Sequence, residues 1–294
     1  MFRHFPNPID NLSTRFTSSA RPVRLGGSVN RSGLTMIELL VASAIMVLIV
    51  GALAFLAKAV QVGAEYGGGH GEAIQNARVV LERITHMANE ATTSQSFPGM
   101  LVVPHTDDGV EIPDTLVVWH PDGDAIDPEG LPRYNEIVIY CPNADRPNEL
   151  IELTAPGDTR TVPAYSDQSG WQTTIEALKA SDTTRQIVMT DLLRTASVDD
   201  TAPSDTKVSC VRFKLRLRPS EQQIAEFEAG TTPWNELPWI QNIYSDSLGL
   251  RQVWLRIELQ LVPGQRARNN TQKSLTAIPF FDSATVHYTI KNNT

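Results

Sequence analysis

Cysteine is nearly missing from this chain: Cys141 and Cys210 are the only two in 294 residues. That scarcity excludes a disulfide scaffold and a cysteine-based zinc site. Catalytic signatures are missing as well. There is no G-x-S-x-G elbow, no glycine-rich phosphate loop ending in Lys-Ser or Lys-Thr, and no H-E-x-x-H pair. The six histidines are scattered. The residues therefore point to no enzyme and to no cofactor. Repeats and Gly-Ser or Pro-rich linkers are also absent from the body of the chain.

Charge is abundant but unevenly placed. Residues 1–33 carry Arg3, Arg15, Arg21, Arg24 and Arg31 against Asp10 alone, a charge of +4. The net charge of the chain is −8, so the remainder carries −12. A body this acidic repels phosphate backbones, which argues against nucleic acid as a partner.

A long apolar run follows the basic segment. From Leu39 to Ala57 no residue is charged, and Leu, Val, Ile and Ala dominate. Roughly 20 such residues cross the hydrocarbon core of a bilayer. The arginines all precede the run, so the positive-inside rule predicts a cytoplasmic N-terminus and a body on the far side. Glu38 does not suit a plain anchor. An unpaired carboxylate inside a membrane costs about 2.5–3.5 kcal/mol at the centre and less near the interface. It calls for a cation. Cleavage after Gly33 would create one, an α-amino group on Leu34, four residues and one helical turn away.

The segment Gly33-Leu34-Thr35-Met36-Ile37-Glu38, behind its basic leader and ahead of its apolar run, resembles the cleavage and methylation motif of type IV prepilins and type II secretion pseudopilins. Leu34 stands where Phe is common. The resemblance implies removal of a leader, residues 1–33, by a prepilin peptidase, and N-methylation of Leu34. It implies that Glu38 guides assembly by meeting the amine of a neighbouring subunit. The fold it implies is α+β and pilin-like, an N-terminal transmembrane helix and an amphipathic helix packed on an antiparallel β-sheet. Expected partners are other pilin-like subunits, the prepilin peptidase and an inner-membrane assembly platform, with the body in the periplasm and no nucleic acid bound. The length beyond Gly33 favours a large minor subunit of a type II secretion pseudopilus or type IV pilus over a repeating one. Other readings are an ordinary signal anchor, a secretory signal cut just before Val60, and a membrane-anchored periplasmic enzyme or binding module.

The expected organisation is a transmembrane helix over 34–58, a Gly-interrupted helical stalk over 59–96, and a β-rich domain over 97–294. Gly67, Gly68, Gly69 and Gly71 should break the helix, each costing about 1 kcal/mol relative to Ala. Helical spacing returns with Ile74, Ala77, Leu81, Ile84, Ala88 and Ala91, a core-facing stripe. The stretch Ala77–Ile84 is similar to the helix that follows the membrane span in J-class minor pseudopilins. Beyond Ser96 the period becomes two. Strands are expected at 115–120, 136–141, 149–153, 207–218, 251–262 and 284–290. Polar loops are expected at 104–114, 121–135, 155–170 and 196–206. Val211, Phe213, Leu215 and Leu217 alternate with Arg212, Lys214, Arg216 and Arg218, and Val253–Leu261 alternates likewise. Such strands suit a sheet with one face on the core and one in water.

Three further features need structural placement. Asp122, Asp124 and Asp127, with Glu129, form an oxygen-rich loop that could hold calcium, though not with EF-hand spacing. The basic stripe on 212–218 could meet an acidic partner or be simply solvated. Cys141 and Cys210 could pair in an oxidising compartment, but alternation puts Cys141 on an apolar face and Cys210 on a polar one.

Overall fold

The computed structural model describes residues 33–107, 109–197, 207–263 and 277–292. Most of the leader and most of the 196–206 loop therefore lie outside the described residues. The chain divides into two units with the boundary between Leu56 and Ala57. In the first unit every described residue is exposed, from Gly33 through Leu56. Its helical part is the start of α1 (Met36–Asn89). Among the described residues, α1 is the one helix long and apolar enough to cross a membrane.

The expected break at Gly67–Gly71 does not occur: α1 runs through it. A Cβ placed on Gly67, Gly68 or Gly71 would meet nothing within 4 Å, so packing does not require glycine at those three positions, whereas Gly69 is buried. Their propensity cost is outweighed because the turns that follow are fixed by burial, and tertiary packing routinely overrides propensity. Ala73, Ala77, Val80, Leu81, Ile84, Met87 and Ala88 are all buried. Of the expected core-facing stripe in the 59–96 segment, Ala77, Leu81, Ile84, Ala88 and Ala91 are buried, while Ile74 is 47% exposed.

Two antiparallel sheets and a short ribbon make up the rest of the second unit. The first sheet is a meander in order β1 (Met100–Asp107), β2 (Val110–Trp119), β3 (Ile137–Pro142), β4 (Leu150–Thr154) and β5 (Arg185–Thr190). Residues 104–114, expected as loop, instead form the β1–β2 hairpin, with Asp107 opposite Val110. The ribbon pairs β6 (Thr195–Ser197) with β7 (Lys207–Ser209). The second sheet has β9 (Leu248–Leu261) between β8 (Val211–Arg218) and β10 (Ile278–Lys291). Helix α2 (Gln168–Lys179) lies between β4 and β5 in sequence, and α3 (Glu221–Glu228) follows β8.

The second sheet follows the alternation read from the sequence. Val253, Leu255, Ile257, Leu259 and Leu261 are fully buried, while Arg256 is exposed. The first sheet does not. All six residues of β3 are buried, because each face has its own core. Val138 and Tyr140 join the cluster built on α1, whereas Ile137, Ile139 and Cys141 join one built on α2 through Trp171, Ile175 and Leu178. The expectation of a single covered face is corrected by α2, which occupies part of the expected 155–170 loop and beyond. Asp167 caps it, its carboxylate accepting from the Gly170 N–H at 2.9 Å.

The buried charged groups Glu152 and Arg251 are paired, whereas Trp119 Nε1 and the Tyr140 hydroxyl are buried with no hydrogen-bond partner among the described residues. Glu152 of β4 is 4% exposed and takes two guanidinium N–H groups of Arg83 on α1, each at 3.1 Å. Arg251, buried on β9, donates to the Pro219 carbonyl at 2.8 Å, the Tyr288 hydroxyl at 3.0 Å and Glu221 at 2.8 Å. Removing Arg83 would strand a buried carboxylate. Because Arg83 is itself half-exposed, R83A should cost about 2–3 kcal/mol, less than the loss of a fully buried pair. Replacing both partners by methionine should recover most of it. Denaturant unfolding of the full chain in detergent, followed by tryptophan fluorescence, measures both.

Candidate functional site

The segment that carries the sequence resemblance is also a helix start. Thr35 precedes Met36, the first residue of α1, and its carbonyl accepts the first helical bond from the Leu39 N–H at 3.2 Å. The Thr35 hydroxyl accepts from the Glu38 N–H at 3.3 Å, and Glu38 Oε2 accepts from the Thr35 N–H at 2.9 Å. The same oxygen takes the Thr35 hydroxyl at 3.0 Å. This is a reciprocal capping box, with Thr35 at the cap and Glu38 three residues on. Glu38 also places negative charge at the positive end of the helix.

Two consequences follow for the local chemistry. Gly33 and Leu34 lie outside the helix, and Leu34 is 76% exposed, so the peptide bond between them is accessible. Gly33 has open space around the position of a Cβ and no positive φ, so neither packing nor backbone conformation requires glycine. Among the described residues Glu38 Oε1 receives no hydrogen bond, which leaves the carboxylate able to accept one more donor.

The other sequence candidates separate. Asp122, Asp124 and Asp127 are exposed on the loop after β2, and no group of three or more His, Cys, Asp or Glu among the described residues is placed to hold a metal. The calcium reading is therefore not supported by geometry. The loop is shaped by other bonds: Glu136, buried, accepts from the Ile126 N–H at 2.6 Å and the Arg133 N–H at 2.8 Å, and the Asp127 carboxylate lies against Gly130. Glu129 instead reaches Lys291 at 3.7 Å.

Cys141 and Cys210 are free thiols and do not form the possible bridge. Cys141 sits on β3 in the α2 core, whereas Cys210 immediately precedes β8, in the other sheet. Burial pushes the Cys141 thiol up to about 12. The Cys210 thiol is also raised by burial, though Arg194 and Arg212 oppose the shift.

One grouping escaped the sequence reading. Glu90, near the C-terminal end of α1, faces His86 at 3.6 Å and His120 at 3.5 Å. The i,i+4 spacing of His86 and Glu90 was a readable signal; the position of His120, just past β2, was not.

Surface grooves are present among the described residues. One of 510 Å³ is lined by Tyr134, Asp158, Arg160 and Thr174. There Arg160 pairs with Asp158 at 2.6 Å and lies over the Tyr134 ring. Another, of 640 Å³, lies between β1–β2 and β8–β9. No protein-family profile, curated protein or solved structure matches the chain.

The thiol environments predict labelling behaviour. A maleimide at neutral pH should modify the native chain at Cys210 only, and both thiols after unfolding; peptide mass mapping distinguishes them. Asp114, buried on β2, is a second perturbed group. Burial raises its pKa above the usual carboxylate range, and Lys179 and the Thr115 hydroxyl counter this only in part. A raised folded pKa gives stability that is present below the unfolded pKa and lost as pH rises through the folded one. D114N should therefore match the wild type in acid and become relatively more stable as pH climbs through that window. Denaturation midpoints at several pH values show the crossover.

Proposed function

We propose that this chain is a pilin-like subunit of the pseudopilin class, made as a precursor and assembled with related subunits at the inner membrane. The observation that carries the reading is the junction at Gly33–Glu38. An accessible Gly33–Leu34 bond stands one residue ahead of a capped helix whose following apolar turns are unburied throughout. The glycine has no use within the folded chain, which is consistent with a requirement imposed by a processing enzyme. Prepilin peptidase is the enzyme that the motif implies.

The capping box gives the proposal a mechanism. Glu38 already accepts from the Thr35 N–H and hydroxyl. Cleavage after Gly33 would place a charged amine on Leu34, the residue before Thr35. A second amine, from a neighbouring subunit, has Glu38 Oε1 left to meet. In the apolar interior of a helical bundle, such a pair removes the cost of a lone carboxylate. Binding energy for assembly would then come from helix packing, and the Glu38 pair would set the register. The body, −12 in charge beyond residue 33, would lie in the periplasm, with the basic residues ahead of Met36 left in the cytoplasm.

The processing step is directly testable. The mature protein from membranes of a bacterium that carries a prepilin peptidase should begin at Leu34, with the mass of one added methyl group on its amine. Intact-mass and N-terminal sequencing read this. A chain that begins at Val60, or that retains residues 1–33, would remove the basis of the proposal.

A further inference from the structure

The groove between the two sheets is bordered by charge of the sign that is scarce on this body. Along β8, Lys214, Arg216 and Arg218 are exposed and Arg212 is half-exposed. Arg212 is turned onto backbone, donating to the Ser209 and Val211 carbonyls, each at 2.6 Å. Lys214 stands directly opposite Arg256 in the sheet register, a like-charge pair that costs stability. Arg256 has Glu258 at 3.9 Å and lies over the exposed Phe281 ring. Among the described residues neither Lys214 nor Arg216 has an ion-pair or hydrogen-bond partner. The 640 Å³ groove is lined by the apolar Leu101, Val102, Leu215 and Leu217, with Arg212, Lys214 and Arg256 as its cations and Glu111 and Glu258 as its acids; Arg216 and Arg218 line a neighbouring groove.

A segment of matching chemistry is carried elsewhere on the same chain. The loop after β2 presents Asp122, Asp124, Asp127 and Glu129 around Ile126, which is 51% exposed. Ile126 is not loosely displayed. Its N–H is held by the buried Glu136 carboxylate at 2.6 Å, and the loop's far end is fixed by the Ser94 hydroxyl donating to the Gly130 carbonyl at 2.7 Å. An exposed isoleucine between carboxylates, on a pre-formed loop, is the complement of an apolar groove edged with cations.

We infer that residues 122–129 of one copy dock into the β1–β2/β8–β9 groove of a second copy. Ile126 enters the apolar lining, and Asp124 and Asp127 meet Lys214 and Arg256. Such a contact joins two different surfaces, so it is heterologous and leaves a free groove and a free loop at the ends of each pair. It would relieve the Lys214–Arg256 repulsion, and it should weaken as salt screens the exposed charges. The contact is independent of cleavage at Gly33 and goes beyond the processing and assembly reading above.

Charge reversal tests it on the full chain in neutral detergent, by sedimentation at low and high salt. The wild type should self-associate with concentration at low salt and less at high salt. D124K/D127K and K214E/R256E should each weaken self-association by about tenfold or more. Mixed together, the two variants should associate, because the unaltered groove of the first takes the unaltered loop of the second. That rescue also shows that both variants are folded. A wild type that stays monomeric, variants that associate as the wild type does, or a mixture that fails to recover would each overturn the inference. So would a monomeric wild type that binds vesicles of anionic lipid through Lys214 and Arg256, which would assign the cations to headgroups.

Discussion

The Glu152 carboxyl is 4% exposed inside a sheet, and Arg83 meets it there with two N–H groups, each at 3.1 Å. Much of the second unit is organised around that contact. Arg83 is on α1 and Glu152 on β4, so the pair ties the helix to the strand at one point beside the buried apolar stripe. With Arg83 so placed, Ala77, Val80, Ile84 and Ala88 face inward and meet Leu116, Val118, Val138 and the inner face of the second sheet in one cluster. The small side chains of Ala73, Ala77 and Ala88 suit a helix lying close to its neighbours. The pair adds direction to what is otherwise non-directional apolar burial.

The two cores explain why this unit tolerates so much buried polarity. Glu136, Glu149, Glu152, Asp114 and Arg251 are all buried. Each has partners: Glu149 takes Arg146 at 2.7 Å and Asn143 at 2.9 Å, and Arg251 is held by three acceptors. A buried charge without such a partner would cost several kcal/mol on the scale of about 3–5 seen for broken pairs. Several of these bonds run to loops, so the same groups that satisfy the core also shape the surface. Glu136 does this most directly, because one carboxylate holds both Ile126 and Arg133 in the loop after β2.

How far the fold could be read from residues depended on the kind of pattern. The alternation of β8 and β9 was legible because one face meets a core and the other meets water. Leu81, Ile84 and Ala88 gave away the inner face of α1 for the same reason. Residues of β3 could not reveal that both faces are covered, since a short apolar run does not say what lies above and below it. Helix α2 was readable in part: Trp171, Ile175 and Leu178 recur at helical spacing behind Asp167. The glycines at 67–71 misled because a local propensity of about 1 kcal/mol each is small beside the packing that follows. The pairing of Glu90 with His120 joins residues thirty positions apart, and no local period encodes such a meeting.

The amino-acid order alone determined the features that depend on neighbours along the chain. These are the apolar run 39–57, the Thr35–Glu38 spacing that forms a capping box, and the period-two strands. Local geometry repeats at fixed intervals, so sequence spacing is enough to specify it. Tertiary structure decided what depends on distant residues meeting: that α1 continues through its glycines, that the first sheet is buried twice, and that Cys141 and Cys210 stay apart. It also decided that Asp122, Asp124 and Asp127 surround an exposed isoleucine and gather no metal site. Whether a charged residue is paired or left open to a partner is set by what folding brings beside it, and for Lys214 folding brought another cation.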